Sequence, residues 1–148
     1  YPRLMSKHQS HVQIIGRRET IGLPDLGAIN IEAKIDTGAY RTALHCLSCR
    51  QIDEGDKSIL EAVFDLDETG PKTFYFDKFT IREVKNSFGQ SEKRYCIRTR
   101  LRIGKRDIRS EVTLTDRSEM KYQVLLGRKT LLKKYLVDVN QIHVLSND

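Results

Sequence analysis

The sequence predicts an all-β domain, a small closed barrel or sandwich with one short helix near its C-terminus. Short β-branched segments separated by turn residues occupy most of the chain. Two segments, 29–35 and 97–103, alternate strictly between apolar and polar residues, which is typical of half-buried strands. Only residues 128–135 have the Leu- and Lys-rich composition of a helix. We therefore expect many strands, one late helix and a final strand.

Residues 1–11 are polar, and we expect a flexible N-terminal arm there, followed by a single domain over residues 12–148. The strand at 29–35 directs its odd-numbered residues to one face and ends at Asp36. A turn is expected at 23–27 and a charged loop at 50–58. Other strands are expected at 12–16, 42–45, 59–66, 72–81, 81–84, 94–97, 97–103, 108–114, 124–126, 137–139 and 142–145. The polar loop 85–91 closes a predicted hairpin.

Composition limits the classes of partner. The 148 residues carry a net charge of +6 and a pI of about 9.3, which favours acidic partners. No apolar run approaches the ~18 residues of a membrane helix. No basic segment carries interleaved aromatic residues for base stacking, so nucleic acid is the weaker candidate. We expect a cytoplasmic protein without a membrane partner. An export signal upstream of residue 1 is the alternative, because the chain does not begin with Met.

The segment Asp36-Thr37-Gly38-Ala39 directly follows a predicted strand. Gly38 allows a sharp turn beside the carboxylate, since glycine accepts positive φ. The hydroxyl of Thr37 is suited to locking that turn to a partner, and the small Ala39 lets another backbone approach. Aspartic proteases use two such carboxylates that share one proton, one as base and one as acid. The alternative is an Asx turn that merely begins a loop.

A second motif lies far downstream. Leu125, Leu126, Gly127 and Arg128 form an apolar-apolar-Gly segment followed by a cation. The two motifs in this order match the layout of one half of an aspartic protease active site.

The cysteines leave a metal site open as an alternative. His45, Cys46 and Cys49 are close in sequence, and Cys96 or His143 would have to supply a fourth zinc ligand. Structural zinc sites usually have two tight ligand pairs, and only one is present here. The other interpretation is free thiols in a turn, with no cofactor. An odd number of cysteines, three, also argues against a disulfide framework.

The order of these elements resembles that of retropepsins, the single-lobed aspartic proteases of retroviral type. Within that superfamily the chain is similar to the bacterial "ATP-dependent zinc protease" family, the RimK-associated or RimB-like retropepsins. The segments that carry the resemblance are 15–19, 33–39, 42–45, 97–101, 114–118 and 125–128. No nucleotide-binding loop and no zinc-protease motif is present, so an aspartic mechanism accounts better for these residues.

The resemblance implies a retropepsin-type barrel in which Asp36 is the catalytic carboxylate. Thr37 and Gly38 would complete the catalytic turn, and Ala39 would contact the substrate backbone. The resemblance further implies roles for the second motif: Leu125, Leu126 and Gly127 would support the turn, and Arg128 would pair with an acidic group near a dimer contact. Because each chain has one Asp-Thr-Gly, an aspartic mechanism requires a homodimer with a two-fold axis.

Several cations suggest the class of substrate. Lys34 lies on the same strand face as Asp36, and Arg98, Arg100 and Arg102 form a stripe on one face of a later strand. Such a stripe is usually solvated, but in a cleft it would suit glutamate-rich peptides. The resemblance implies a functional link to a RimK-type glutamate ligase. Two alternatives stay open: an inactive barrel that binds acidic peptides, and a zinc-dependent hydrolase using the His and Cys side chains named above.

Overall fold

The computed structural model describes residues 12–86 and 88–146, so the expected arm at residues 1–11 lies outside the described residues. The strands are β1 (Gln13–Ile15), β2 (Arg18–Leu23), β3 (Ala28–Ile35), β4 (Thr42–His45), β5 (Ser48–Glu54), β6 (Lys57–Phe64), β7 (Lys72–Phe76), β8 (Thr80–Lys85), β9 (Ser91–Ile103), β10 (Arg106–Thr115), β11 (Val124–Leu126) and β12 (Tyr135–Val137). The helix α1 covers Arg128–Leu131, and a 3-10 turn covers Pro24–Leu26. In this part of the chain, no helix has the length and apolar character needed to cross a membrane.

Six strands close into a barrel, which confirms the predicted fold class. The order around the barrel is β3, β2, β9, β10, β4 and β11, and β11 pairs with β3 to complete the ring. The β11–β3 and β10–β4 pairs are parallel, whereas the other pairs in the ring are antiparallel. Strand β8 extends this sheet by pairing with the first half of β9, as the predicted hairpin requires.

Two smaller sheets flank the barrel. Strands β5, β6 and β7 form an antiparallel sheet, and Phe64, Phe74 and Phe76 make edge and stacked contacts on it. Strands β1 and β12 form a parallel pair in which Gln13 lies beside Tyr135. The pairing joins the start of the described chain to the segment that follows α1.

Apolar side chains fill the barrel, and four aliphatic residues from four strands are completely buried: Ala33, Leu101, Val112 and Leu126. Burial of this kind stabilises the fold by about 25 cal/mol per Å² of apolar surface. The strands that flank Asp36 are therefore fixed by packing on their inner faces.

The carboxylate of Glu19 is buried together with the apolar side chains of the barrel. Glu19 on β2 accepts hydrogen bonds from the backbone N–H groups of Gly16, Val144 and Leu145 and from the hydroxyl of Ser146, at 2.8–3.0 Å. A buried carboxylate is stable only when its lone pairs are satisfied in this way. Glu19 thereby fastens the C-terminal segment to the barrel.

One predicted loop and one predicted strand in the first half of the chain are wrong. Residues 50–58 are not a loop, because they lie in the β5–β6 hairpin, whose turn uses Gly55 at φ 62°. Their charged side chains are exposed on the strand surfaces. Residues 72–81 do not form one strand, because β7 ends at Phe76 and β8 begins at Thr80.

The inward position predicted for Ile29 is also wrong, since this side chain is 68% exposed. The β2–β3 register shifts between Ile21 and Leu23, so Ala28 is buried in its place. Asn30, with φ 58°, interrupts the strand conformation at the same point.

The C-terminal elements also differ from the prediction. Helix α1 ends at Leu131 rather than at residue 135, because Leu132 leaves helical geometry and Lys133 has φ 65°. The next strand covers 135–137, not 137–139. Residues 142–145 are not a strand, because the N–H groups of Val144 and Leu145 donate to Glu19 and His143 has φ 53°.

Candidate active site

Asp36 lies where β3 leaves the barrel sheet. Its backbone N–H donates to the carbonyl oxygen of Leu126 at 2.9 Å, and Leu126 is in parallel register with Ile35. Strand β11 lies between β3 and β4, so it contacts both arms of the turn that follows Asp36. The structure thus brings the two predicted motifs together.

The turn after Asp36 orients its carboxylate. The N–H of Gly38 donates to Oδ1 of Asp36 at 3.0 Å, and the N–H of Ala39 donates to the Asp36 carbonyl at 3.2 Å. Asp36 is half-buried, whereas Thr37 and Gly38 are exposed. One carboxylate oxygen is therefore fixed by the backbone, on a turn that faces solvent.

Gly127 packs against the far side of this turn. A Cβ at this position would lie 2.5 Å from the carbonyl oxygen of Arg41 and 2.8 Å from that of Tyr40, so only glycine fits. The N–H groups of Arg128 and Lys129 donate to the carbonyls of Ala39 and Tyr40 at 2.9 Å. Helix α1 begins at this contact and closes the turn.

Three buried hydroxyls lie beneath Gly127, and none of them belongs to the two motifs that predicted the site. Thr42 Oγ1 accepts a hydrogen bond from the Gly127 N–H at 3.1 Å and also bonds the hydroxyl of Thr130. The hydroxyl of Ser110 lies 2.8 Å from that of Thr130. This chain connects β4, β10 and α1 under the candidate catalytic turn.

Arg128 also contacts the turn directly. Its guanidinium donates to the Thr37 carbonyl at 2.9 Å and lies 5.7 Å from the ring centre of Tyr40. The pairing of Arg128 with an acidic group at a dimer contact stays a prediction.

Arg117 was not among the expected site residues, although it lies in a segment that carried the family resemblance. Only 9% of it is exposed, its Nε donates to the Tyr122 carbonyl at 2.8 Å, and its N–H donates to Nδ1 of His45 at 2.8 Å. Burial lowers the pKa of the Arg117 guanidinium, Arg94 adds to this effect, and the charge of Asp36 opposes it. Among the described residues, no carboxylate forms a salt bridge with Arg117. It is a buried cation within electrostatic range of Asp36.

A buried acid links the candidate site to the β8–β9 hairpin. Glu111 bonds Arg41, just beyond the turn that follows Asp36, at 2.6 Å, and Arg82 on β8 at 2.8 and 3.0 Å. The bond from Arg82 holds the pKa of Glu111 below its ordinary value, although burial opposes this shift. At the hairpin tip, Asn86 accepts bonds from the N–H groups of Phe88 and Gln90, and Phe88 is 87% exposed.

The cations predicted to bind substrate lie in different places. Lys34 is exposed on β3 near Asp36. Arg100 pairs with Asp25 at 2.7 Å, beyond the β2 end that faces Ala28. At about 3.3 Å per residue, β3 separates that end from Asp36 by about 25 Å, so the position of Arg100 gives no support to a role at Asp36.

The other arginines of the stripe also differ from one another. Arg102 pairs with Asp107 at 2.8 Å. Arg98 is exposed beside Glu111 on the neighbouring strand and lines a groove of about 730 Å³ with Arg109 and Thr80.

The residues of the zinc alternative do not form a ligand set. Nδ1 of His45 is occupied by the Arg117 N–H, and Cys96 lies on a different strand from the Cys46–Cys49 pair. His143 lies 2.9 Å from Glu32. Within residues 12–86 and 88–146, no three His, Cys, Asp or Glu side chains are grouped so that they could hold a metal ion.

Comparison with known proteins places this geometry in a family. The model of the RimB-like family, described as retropepsin-like aspartic endopeptidase RimB, matches residues 14–147. The chain belongs to the RimB-like family. Members of this family are thus similar to it over nearly the whole described barrel, including both motifs around Asp36.

Relatives of this RimB-like chain carry a different name. Proteins named probable alpha-L-glutamate ligase are 32% identical over 131 residues in Shewanella pealeana and 34% identical over 138 residues in Parasynechococcus marenigrum. The matches cover 86% and 90% of this chain but 29% of each relative. The chain therefore spans less than a third of the length of these relatives.

The fold also occurs in a solved structure. A Legionella pneumophila protein of unknown function superposes with a TM-score of 0.73 and is 26% identical. The match covers 89% of the RimB-like chain and 97% of the Legionella protein.

Proposed function

We propose that this protein is an aspartic endopeptidase whose active site contains Asp36 from each of two chains. The observation that carries the proposal is the carboxylate of Asp36, fixed by the Gly38 N–H on a solvent-facing turn that β11 and Gly127 support. The chain supplies one Asp-Thr-Gly motif, so a second copy must supply the other carboxylate.

The chemistry follows from two carboxylates in contact. Two neighbouring Asp36 side chains cannot both be ionised at low cost, so the pair retains one proton. The ionised member takes a proton from water as the water attacks the peptide carbonyl. The protonated member gives its proton to the carbonyl oxygen, and the pair later protonates the leaving amine. No metal takes part in these steps.

An exposed apolar surface supports a dimer. Ile14 on β1 and Leu136 on β12 lie at paired positions and are 43% and 62% exposed. Leu132 and Val139, which flank β12, are 62% and 67% exposed. Exposed apolar groups that lie close together are typical of interaction surfaces. In the proposed dimer, a second copy covers this surface.

The charges near Asp36 favour an acidic peptide substrate. Arg117 is buried without a salt bridge to any described carboxylate, and Lys34 is exposed nearby on β3. A cation buried without a partner is costly, and a substrate carboxylate would relieve that cost. The naming of relatives as glutamate ligases fits glutamate-rich peptides, with a RimK-type ligase as the functional partner. Ligase activity does not follow for this chain, because it matches only 29% of those relatives.

The test is cleavage of a peptide with a glutamate tail by wild type and by Asp36→Asn. We expect the variant to lose at least about 100-fold in rate, because an amide cannot act as the base. Asp67→Asn is the matched control, since Asp67 also accepts a backbone N–H from two residues ahead, at 2.9 Å from Thr69. Unchanged cleavage by Asp36→Asn, or equal losses in both variants, would contradict the proposal.

A binding module without catalysis is the second candidate, and Arg117 favours it equally. In that case the wild type binds the glutamate-tailed peptide but does not cleave it, and Asp36→Asn binds as tightly as wild type.

A further inference from the structure

Two cysteines at the barrel edge lie unusually close. Sγ of Cys46 and Sγ of Cys49 are 3.0 Å apart, and both are free thiols. A disulfide bond measures about 2.0 Å, so joining these two sulfurs requires movement of only about 1 Å. Cys46 follows β4 and Cys49 lies on β5, which places the pair where the chain leaves the barrel for the three-stranded sheet.

We propose that Cys46 and Cys49 form a reversible dithiol–disulfide site that is oxidised by low-molecular-weight disulfides. The proposal does not depend on peptidase activity, since it rests on the position of the two sulfurs.

The two thiols differ in access and acidity. Cys46 is 1% exposed, whereas Cys49 is partly exposed. The hydrogen bond between the sulfurs lowers the pKa of Cys46, and the same bond, together with burial, raises the pKa of Cys49. Once the pair has lost one proton, the remaining proton therefore stays on Cys49, which donates it in a hydrogen bond to the Cys46 thiolate. Its transfer to Cys46 leaves the accessible Cys49 as the attacking thiolate.

The reaction then proceeds by two exchanges. The Cys49 thiolate attacks the reagent disulfide, so a mixed disulfide forms on Cys49 and one reagent thiolate leaves. That thiolate takes the proton of Cys46, and the Cys46 thiolate attacks the Cys49 sulfur and displaces the second reagent thiolate, which takes a proton from water. The protein loses two hydrogen atoms, and the reagent disulfide becomes two thiols.

Cys96 lacks the features of this site. It is buried on β9, where burial raises the pKa of its thiol, and neither Cys46 nor Cys49 is bonded to it. Its sulfur makes a weak contact with the Arg94 carbonyl at 3.8 Å. It therefore serves as an internal control in the same chain.

A disulfide bond between Cys46 and Cys49 would affect the backbone contacts that Cys46 and its neighbour His45 make with residues 115–117. The N–H of Cys46 donates to the Thr115 carbonyl at 2.9 Å, and the preceding His45 accepts the N–H of Arg117. Oxidation would fix the junction between the barrel, the β5–β7 sheet and the segment that positions Arg117.

The test incubates the full chain in buffers of increasing oxidised-to-reduced glutathione ratio, then blocks free thiols with iodoacetamide and digests with trypsin. Cleavage after Arg41 and Arg50 places both cysteines in the peptide 42–50, and cleavage after Arg94 and Arg98 places Cys96 in the peptide 95–98. We expect peptide 42–50 to become unalkylated and lighter by two hydrogen atoms as the ratio rises. Peptide 95–98 should stay alkylated, and dithiothreitol should reverse the change.

Cysteine variants show which two residues form the disulfide bond. Cys96→Ser should behave as wild type, whereas Cys49→Ser should show no intramolecular bond at any ratio. The wild-type peptide map decides the question even where a variant folds poorly. Alkylation of both cysteines at every ratio, or accumulation of a glutathione adduct without an internal bond, would overturn the proposal.

Discussion

The hydroxyl of Thr42 accepts a hydrogen bond from the backbone N–H of Gly127 at 3.1 Å. This bond joins the strand after the Asp36 turn to the glycine that supports the turn, and both residues are buried. The position of Asp36 therefore depends on a side chain that does not contact its carboxylate.

Replacing Thr42 with Val should expose that dependence. Valine keeps the shape but leaves the Gly127 N–H unsatisfied, at a cost of about 1–3 kcal/mol in the free energy of unfolding. Urea unfolding measures the loss. Thr42→Ser retains the hydroxyl and should recover most of the difference; equal losses in both variants would show that packing, not the hydrogen bond, is responsible.

Gly127→Ala should destabilise the fold by about 1–3 kcal/mol, because the new methyl group would overlap the carbonyl oxygens of Arg41 and Tyr40. Thermal unfolding is the measurement. Gly22→Ala is the control, since a Cβ there meets its nearest atom at 3.5 Å, which is ordinary contact. A wild-type melting temperature for Gly127→Ala would contradict the close approach.

Glu111 should make stability depend on pH. Its pKa in the folded chain is held below its ordinary value, so the ionised form stabilises the fold. This contribution is complete above the unfolded pKa of about 4.3 and is lost as pH falls through the lower folded value. Glu111→Gln should therefore lose about 1–3 kcal/mol at neutral pH and show a weaker acid dependence.

The control for Glu111 is Glu83→Gln on the exposed surface of β8. Denaturant unfolding from pH 7 to acid compares the two variants. The same acid dependence in Glu111→Gln and wild type would exclude Glu111 as its source.

Arg117→Met tests the substrate class. If Arg117 binds a substrate carboxylate, the variant should lose about 10–100-fold in kcat/KM on a glutamate-rich peptide, since charge-assisted bonds contribute about 1.5–3 kcal/mol. A matched glutamine peptide should be affected much less. Equal losses on both peptides would indicate a structural role. Arg50→Met is the control, because the exposed Arg50 guanidinium already pairs with Glu61 at 2.7 Å.

If two chains share one active site, specific activity should depend on protein concentration. Specific activity should fall on dilution together with the dimer fraction seen in sedimentation. Excess Asp36→Asn chain should suppress wild-type activity, because each mixed dimer lacks one carboxylate. A fully active monomer would exclude the two-chain mechanism.

The sequence predicted the parts of the fold whose signal is local. The strand before Asp36 and the apolar run at 124–126 were correct because hydrophobic pattern alone defines them. The hydrophobic pattern predicts a loop at β5, because the side chains of this strand are mostly exposed and carry no alternation. Strand β2 was overlooked because its inward residues include Glu19, whose burial depends on donors more than 120 residues away.

The residues of the candidate site also divide into those that a local motif predicts and those that only the folded structure brings to the site. Asp36 and Gly127 were found from their motifs, and the parallel pairing of β3 with β11 brings them together. Thr42 and Arg117 lie in segments that carry the family resemblance but belong to neither motif, and only tertiary contacts give them a place at the site.

Because β11 lies between β3 and β4, the Asp36 turn can complete its fold only late in synthesis. The turn at Asp36 is made early, but the strand that supports it and the glycine that closes it are translated about ninety residues later, and contacts this distant form slowly. A nascent chain therefore carries Asp36 on an unsupported loop until almost the whole barrel has left the ribosome. Under the proposed function, this delay would keep the peptidase inactive while its own chain is still unfolded and open to cleavage.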